Sequence, residues 1–180
     1  MKYNPITIPT FQKKSPHSVT EIALAIDTSG STHNKLSPII RDTVKQLVAS
    51  LAASGSFKVT LWAFDNFVHH QSIQTITAKD VNKIDEILDV TLSYGGGGSS
   101  YSESFHLVNA LYFTPPNALV FITDGMLSGK GVIRHDMNME KHVIQLNDVD
   151  HPYNREIFPF EHFVHVLNYS EEKEAVAESS

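Results

Sequence analysis

Two short apolar runs, Ile22-Ala23-Leu24-Ala25-Ile26 and Ala118-Leu119-Val120-Phe121-Ile122, each lead straight into a turn that carries an aspartate. Five apolar residues without polar alternation suit a strand buried on both faces, and such strands belong to parallel sheets covered by helices. Helical periods separate the extended stretches. Leu36, Ile40, Val44, Leu47 and Leu51 recur at helical spacing, with Ile39 and Val48 widening the stripe. Ser37-Pro38 offers a cap followed by proline at the first helical position, and Gly55 a stop.

The rest of the chain follows the same alternation. Phe57 to Phe64 reads as a strand, Asp65-Asn66 as a turn, and Phe67 to Ile73 as the returning strand of a hairpin suited to a sheet edge. A helix is predicted over Lys79 to Leu88 with Thr77 as its cap, and another over Ser102 to Phe113, ended by Pro115-Pro116. Met137 to Leu146 is read as a helix and His162 to Leu167 as a final strand. The expected fold is an α/β, Rossmann-like domain: a mostly parallel central sheet with one antiparallel edge strand and helices on both faces. Residues 1–20 form a proline-bearing lead-in, 21–168 the domain and 169–180 an acidic, flexible tail.

Composition removes several function classes. A chain of 180 residues with 41% hydrophobic and 19% charged residues buries a real core. The net charge of -6 and the lack of a dense Lys/Arg cluster argue against nucleic acid. Without cysteine there is no disulfide, thiolate nucleophile or Cys-ligated zinc. No apolar stretch approaches the roughly 20 residues of a membrane helix, and Met1 to Pro5 lacks a signal-peptide core, so a soluble, cytoplasmic, non-membrane protein is expected.

What remains is chemistry at three loops. Asp27-Thr28-Ser29-Gly30-Ser31 places a carboxylate and two hydroxyls on alternate residues directly after a strand, with Gly30 permitting a sharp turn. Gly95-Gly96-Gly97-Gly98-Ser99-Ser100 precedes a helix; four glycines are costly to order and are kept where backbone passes very close to something or takes positive φ. Thr123-Asp124-Gly125 ends the second apolar strand. In such sheets ligands bind beyond the carboxyl ends of the strands. All three loops offer oxygen and none offers nitrogen or sulfur, which favours Mg²⁺ or Mn²⁺ over zinc.

These motifs resemble the von Willebrand factor A (VWA) domain, whose metal-ion-dependent adhesion site reads Asp-x-Ser-x-Ser, then a distant Thr, then a distant Asp. The resemblance covers roughly Glu21 to Leu167. The tetraglycine before a hydroxyl is most similar to bacterial and phage VWA-like domains found beside metallopeptidase-like segments. Their usual Thr is Ser99 here, with Ser100 as the alternative; serine keeps the oxygen but loses the methyl that restricts its rotamer. The resemblance implies that Ser29, Ser31 and Ser99 ligate the ion directly. Asp27 and Asp124 would act mainly through bound water and hold the hydroxyls in place. The sixth position is left for water or for an Asp or Glu carboxylate of a protein partner. A non-enzymatic, cation-dependent binding module follows.

Rival readings use the same residues. A metal-assisted hydrolase would take His33 as base, and a degenerate structural subunit would have lost the metal. A phosphate-binding loop lacks the Lys that should follow the glycines, and neither Gly-x-Ser-x-Gly nor His-Glu-x-x-His occurs. His69-His70 reads as a solvated pair on the edge strand, Trp62 as core, and Asp148 with Asp150 as a solvated loop or a second cation site.

Overall fold

The computed structural model describes residues 1–4, 7–13, 15, 17–125, 138–151 and 163–171. Seven strands, β1 (Lys2–Tyr3), β2 (Thr20–Asp27), β3 (Phe57–Phe64), β4 (Gln74–Thr77), β5 (Ala118–Thr123), β6 (Glu140–Asp148) and β7 (Phe163–Ser170), form one sheet in the order β1-β7-β6-β5-β2-β3-β4. The five inner strands run parallel, and both edge pairs, β1 with β7 and β4 with β3, are antiparallel. This is the expected Rossmann-like architecture, with an antiparallel strand at each edge rather than at one. No described helix is long and apolar enough to cross a membrane.

Helices α1 (Ser37–Ser54), α2 (Ile84–Thr91) and α3 (Ser102–Leu111) divide between the two faces. Strand β2 shows why. Its Ile22, Leu24 and Ile26 pack with Ile40, Val44 and Leu47 of α1 and Leu88 of α2. Its Ala23 and Ala25 face the other way, where their small side chains leave room for Trp62, Phe64, Phe121 and, from α3, Phe105. Phe121 meets Phe64 and Phe105 edge-to-face at 5.7 and 5.9 Å, the geometry that ring quadrupoles prefer. Because β2 is sandwiched by β3 and β5 in the sheet and by helices on both faces, its carboxyl end, at Asp27, has one open direction.

Four local readings are revised. Ser37 is the first residue of α1 rather than its cap, which falls on Leu36, with Pro38 in the first turn. The returning strand of the hairpin is Gln74–Thr77, not Phe67–Ile73. Between them the Ser72 hydroxyl accepts the Ala63 N–H at 2.8 Å and a 3₁₀ turn spans His70–Ser72, so a side chain replaces the ladder there. The helix over Lys79 to Leu88 divides into a 3₁₀ segment, Ala78–Lys83, and α2; Thr77 is its cap, with Asp80 accepting the Thr77 N–H at 3.0 Å. The residues read as a helix from Met137 to Leu146 instead give β6, in the sheet between β5 and β7. Val143 packs on one face and Ile144 with Leu146 on the other, so burial from both sides overrides a weak helical pattern. Met137 itself, His162 and most of 126–160 lie outside the described residues.

The lead-in, which shows no period in sequence, is tied to the sheet. Lys2 and Tyr3 pair with Ser170 and Tyr169, Ile8 and Phe11 pack on the core, and Asn117 donates to the Gln12 carbonyl at 3.0 Å.

Trp62 is fully buried, and its indole N–H donates to the Ser104 hydroxyl at 3.1 Å, joining β3 to α3. Ser104→Ala leaves that donor without a partner and is expected to cost about 1–3 kcal/mol in urea unfolding. An unchanged unfolding midpoint would show that the bond contributes nothing.

Candidate metal centre

Strands β3 and β5 flank β2 on either side, so the sheet order reverses there and the carboxyl ends of three parallel strands meet at one crevice. Asp27 closes β2 and is 0% exposed. Its Oδ1 accepts the Ser29 N–H at 2.9 Å; its Oδ2 accepts the Thr123 hydroxyl at 2.7 Å and lies 3.4 Å from the Ser99 hydroxyl. The Ser29 and Ser31 hydroxyls are 3.3 Å apart. Asp124, 5% exposed, raises the proton affinity of Asp27 through its charge. Loops from three distant parts of the chain therefore bring Asp27, Ser29, Ser31 and Ser99 into contact, with Asp124 beside them.

Two threonines complete the frame: Thr32 was not singled out from the sequence, and Thr123 entered only as part of the Thr123-Asp124-Gly125 loop. Thr32, fully buried, donates to the Asp27 carbonyl at 2.6 Å and so closes the turn that presents Ser29 and Ser31. The Thr123 hydroxyl donates to Asp27 while accepting the Gly125 N–H at 3.0 Å, fixing its proton on the carboxylate side. Both were legible only as neighbours of better-known positions.

The tetraglycine does what its composition suggested. Gly95 and Gly96 have φ of 142° and 101°. A Cβ on Gly95 would stand 2.1 Å from the Thr28 carbonyl oxygen, so only glycine fits there. Gly96 N–H donates to that carbonyl at 2.8 Å and Gly30 N–H to the Gly97 carbonyl at 2.9 Å, stitching the two motifs together. Gly30 lies in the turn after β2 without a positive φ, and a Cβ there would make a tight contact, 3.3 Å from the Gly96 oxygen.

Asp65, read from sequence as a turn residue, follows β3 and is buried beside the glycines. Its Oδ2 accepts the Gly97 N–H at 3.1 Å and its carbonyl the Ser100 N–H at 2.8 Å. Burial works to raise its pKa, but the Phe67 and Gly97 N–H groups and His69 outweigh it and hold the carboxyl below the usual range. The signal for Asp65 was position: register pairs Asp27 with Phe64, so Asp65 stands one residue beyond, just after the neighbouring strand. His69 is not a solvated edge residue, for its Nε2 lies 3.0 Å from Asp65 Oδ1. His33 sits over Gly96 at the rim, and Tyr101 packs edge-on against Phe105 at 5.2 Å. Asp148 takes the Asp150 N–H at 3.0 Å within its own turn, and no cluster of three His, Asp or Glu side chains with ligand geometry occurs among the described residues.

Fold and site define a Rossmann-like α/β domain with a hydroxyl-and-carboxylate centre at the sheet's topological switch. The von Willebrand factor type A domain family matches residues 22–126, more than half of the chain, and the chain belongs to that family. Among solved structures it is similar to the conserved hypothetical protein BatB from Bacteroides thetaiotaomicron. That likeness has a TM-score of 0.52 and 17% identity, covering 73% of this chain and 68% of that one, and it shows the fold. A weaker likeness, TM-score 0.47 and 14% identity over 80% of this chain, is to the pilus adhesin SpaC from Lactobacillus rhamnosus GG, of which it spans 26%. No curated protein matches the chain.

Burial, with the charge of Asp124 adding and the Ser29 and Thr123 hydrogen bonds opposing, pushes the Asp27 pKa up from 3.8 to about 6. A carboxyl raised in this way holds its proton more tightly folded than unfolded. Its favourable contribution is therefore complete below the unfolded value and lost as pH rises through about 6. In chelator, the stability of wild type relative to Asp27→Asn is expected to fall by about 1–3 kcal/mol between about pH 4 and pH 7.5. Urea unfolding across that range checks it; a difference that does not change with pH contradicts the assignment.

Proposed function

We propose that the centre binds a divalent cation, Mg²⁺ or Mn²⁺, and that the domain is a protein-binding module whose partner supplies an Asp or Glu carboxylate. The observation that carries this reading is that the Ser29 and Ser99 hydroxyls lie against the buried Asp27 carboxylate, with the Ser31 hydroxyl 3.3 Å from that of Ser29. The Ser29–Ser31 separation, 3.3 Å, is long for a hydrogen bond between oxygens. It is closer to the spacing of adjacent ligands around an octahedral ion, about 3 Å for bonds near 2.1 Å. All-oxygen donors fit a hard cation and give little reason for zinc.

Ser29, Ser31 and Ser99 hold the ion, while Asp27 and Asp124 supply the compensating charge and orient the hydroxyls. Bound there, the cation supplies an electrophile to which a carboxylate forms a charge-assisted bond. Ser31 is exposed and Ser29 is not, so the approach is from the Ser31 side. The role is adhesive or scaffolding rather than enzymatic. Family membership supports a protein-interaction role, since VWA domains often mediate such interactions.

Calorimetry tests the reading. Wild type is expected to bind Mg²⁺ and Mn²⁺ and to gain about 2.7 kcal/mol of stability at a hundred times the dissociation constant. Asp27→Ala is expected to lose both effects while keeping its far-UV spectrum. Capture of a partner should disappear in chelator and on changing the partner's acidic residue to its amide. Capture indifferent to chelator would sink the bridging role, and turnover of a phosphoester lost in Asp27→Ala would favour hydrolysis instead.

A further inference from the structure

We propose that Asp65 is a positioning residue of this centre, clamping the glycine loop so that the Ser99 hydroxyl stays within reach of Asp27. The inference rests on the cation reading above and concerns what gives the centre its affinity. Two acceptors of Asp65 bracket Ser99: the side chain takes the Gly97 N–H at 3.1 Å and the backbone carbonyl takes the Ser100 N–H at 2.8 Å. Only Gly98 and Ser99 lie between these anchors. The loop needs such a clamp because four successive glycines offer no side chain for the surroundings to grip.

The clamp is itself fixed. Asp65 Oδ1 accepts the Phe67 N–H at 3.2 Å, the Asp65 N–H donates to the Phe67 carbonyl at 3.0 Å, and His69 Nε2 is 3.0 Å from Oδ1. The His69 ring stacks on Tyr94, immediately before the glycines, with centroids 5.6 Å apart and 28° between planes. The turn after β3 therefore holds the loop at its entrance, its middle and its exit. Fit is tight on the loop side as well, since a Cβ on Gly97 would meet Asp65 Oδ2 at 2.9 Å. Both carboxylate oxygens serve donors, which an amide cannot do: its NH₂ would face an N–H on one side. With both oxygens so engaged, Asp65 acts through Ser99 and not as a ligand.

Titration of Mn²⁺ into the full chain tests this with four variants. Asp65→Asn is expected to weaken Mn²⁺ roughly 10–100-fold, the usual effect of losing an outer-shell partner. Gly97→Ala, which displaces the carboxylate from the loop side, should weaken it likewise and keeps the test open if Asp65→Asn does not fold. Glu103→Ala removes the carboxylate that accepts the Val68 N–H at 2.8 Å, a bond that involves neither Asp65 nor the glycines. It should lower stability and leave Mn²⁺ affinity unchanged. Adding Ser99→Thr to Asp65→Asn should restore part of the affinity, because threonine restricts its own rotamer. If wild type takes up no Mn²⁺, the centre itself fails and this role with it. Mn²⁺ uptake by wild type that is unchanged in Asp65→Asn and Gly97→Ala overturns the positioning role alone. So does an equal loss in Glu103→Ala, or no rescue by Ser99→Thr.

Discussion

A carboxylate buried to 0% exposure at the end of a central strand is the constraint around which the rest of this domain is arranged. An ionised group in that position is costly unless donors surround it. Here they come from the turn that follows it, through the Ser29 N–H, and from the neighbouring strand, through the Thr123 hydroxyl. The Thr123 hydroxyl is in turn oriented by the Gly125 N–H that it accepts. These bonds do not fully offset burial, since the pKa remains raised to about 6. The residual cost is what a cation would relieve, which is why a stability deficit and an affinity are two views of one group.

The glycine loop exists because of the first motif and not independently of it. Thr28 presents its carbonyl toward Gly95 and Gly96, and the only backbone able to approach so closely is one without Cβ atoms and with positive φ. That contact leads Ser99 to the Asp27 side. A chain so unconstrained in the unfolded state pays heavily in entropy on ordering, and the bonds from Gly96 to Thr28 and from Gly97 and Ser100 to Asp65, with that from Gly30 to the Gly97 carbonyl, offset part of that cost. Close approach, rather than flexibility, is the reason for four glycines in a row.

Much of this was legible because the relevant signals are local. The apolar pentads of β2 and β5, the helical stripe of α1 and the motif after β2 each carry their meaning within a few residues. Where the reading failed, the deciding interaction lay elsewhere in the chain. Nothing within Phe67 to Ile73 says that Ser72 will accept the Ala63 N–H and postpone the strand to Gln74. The period of Glu140 to Asp148 is ambiguous until β5 and β7 bury both of its faces. The supporting roles of Thr32, Thr123 and Asp65 were not read for a related reason: each acts by orienting another group, and a supporting hydroxyl or carboxylate has no spacing rule of its own. Only adjacency in the folded sheet makes them recognisable.

That distinction bears on what the site can discriminate. Without a cation the crevice presents two carboxylates, Asp27 and Asp124, within mutual electrostatic reach, and an approaching acidic side chain is repelled. On the reading proposed here, a divalent charge reverses the sign of that field, so the same acid is drawn in. Hydroxyl ligands matter to this reversal because they add no charge; a third or fourth direct carboxylate would neutralise the ion and remove its pull on a partner. Replacing a carboxylate ligand by serine thus trades affinity for the ion against the ion's affinity for the partner. A centre made of neutral hydroxyls in front and carboxylates behind needs its hydroxyls held by something other than charge. In this chain that task falls to backbone bonds between loops, with Thr32 closing the turn that carries Ser29 and Ser31, and the glycine contacts governing the path to Ser99.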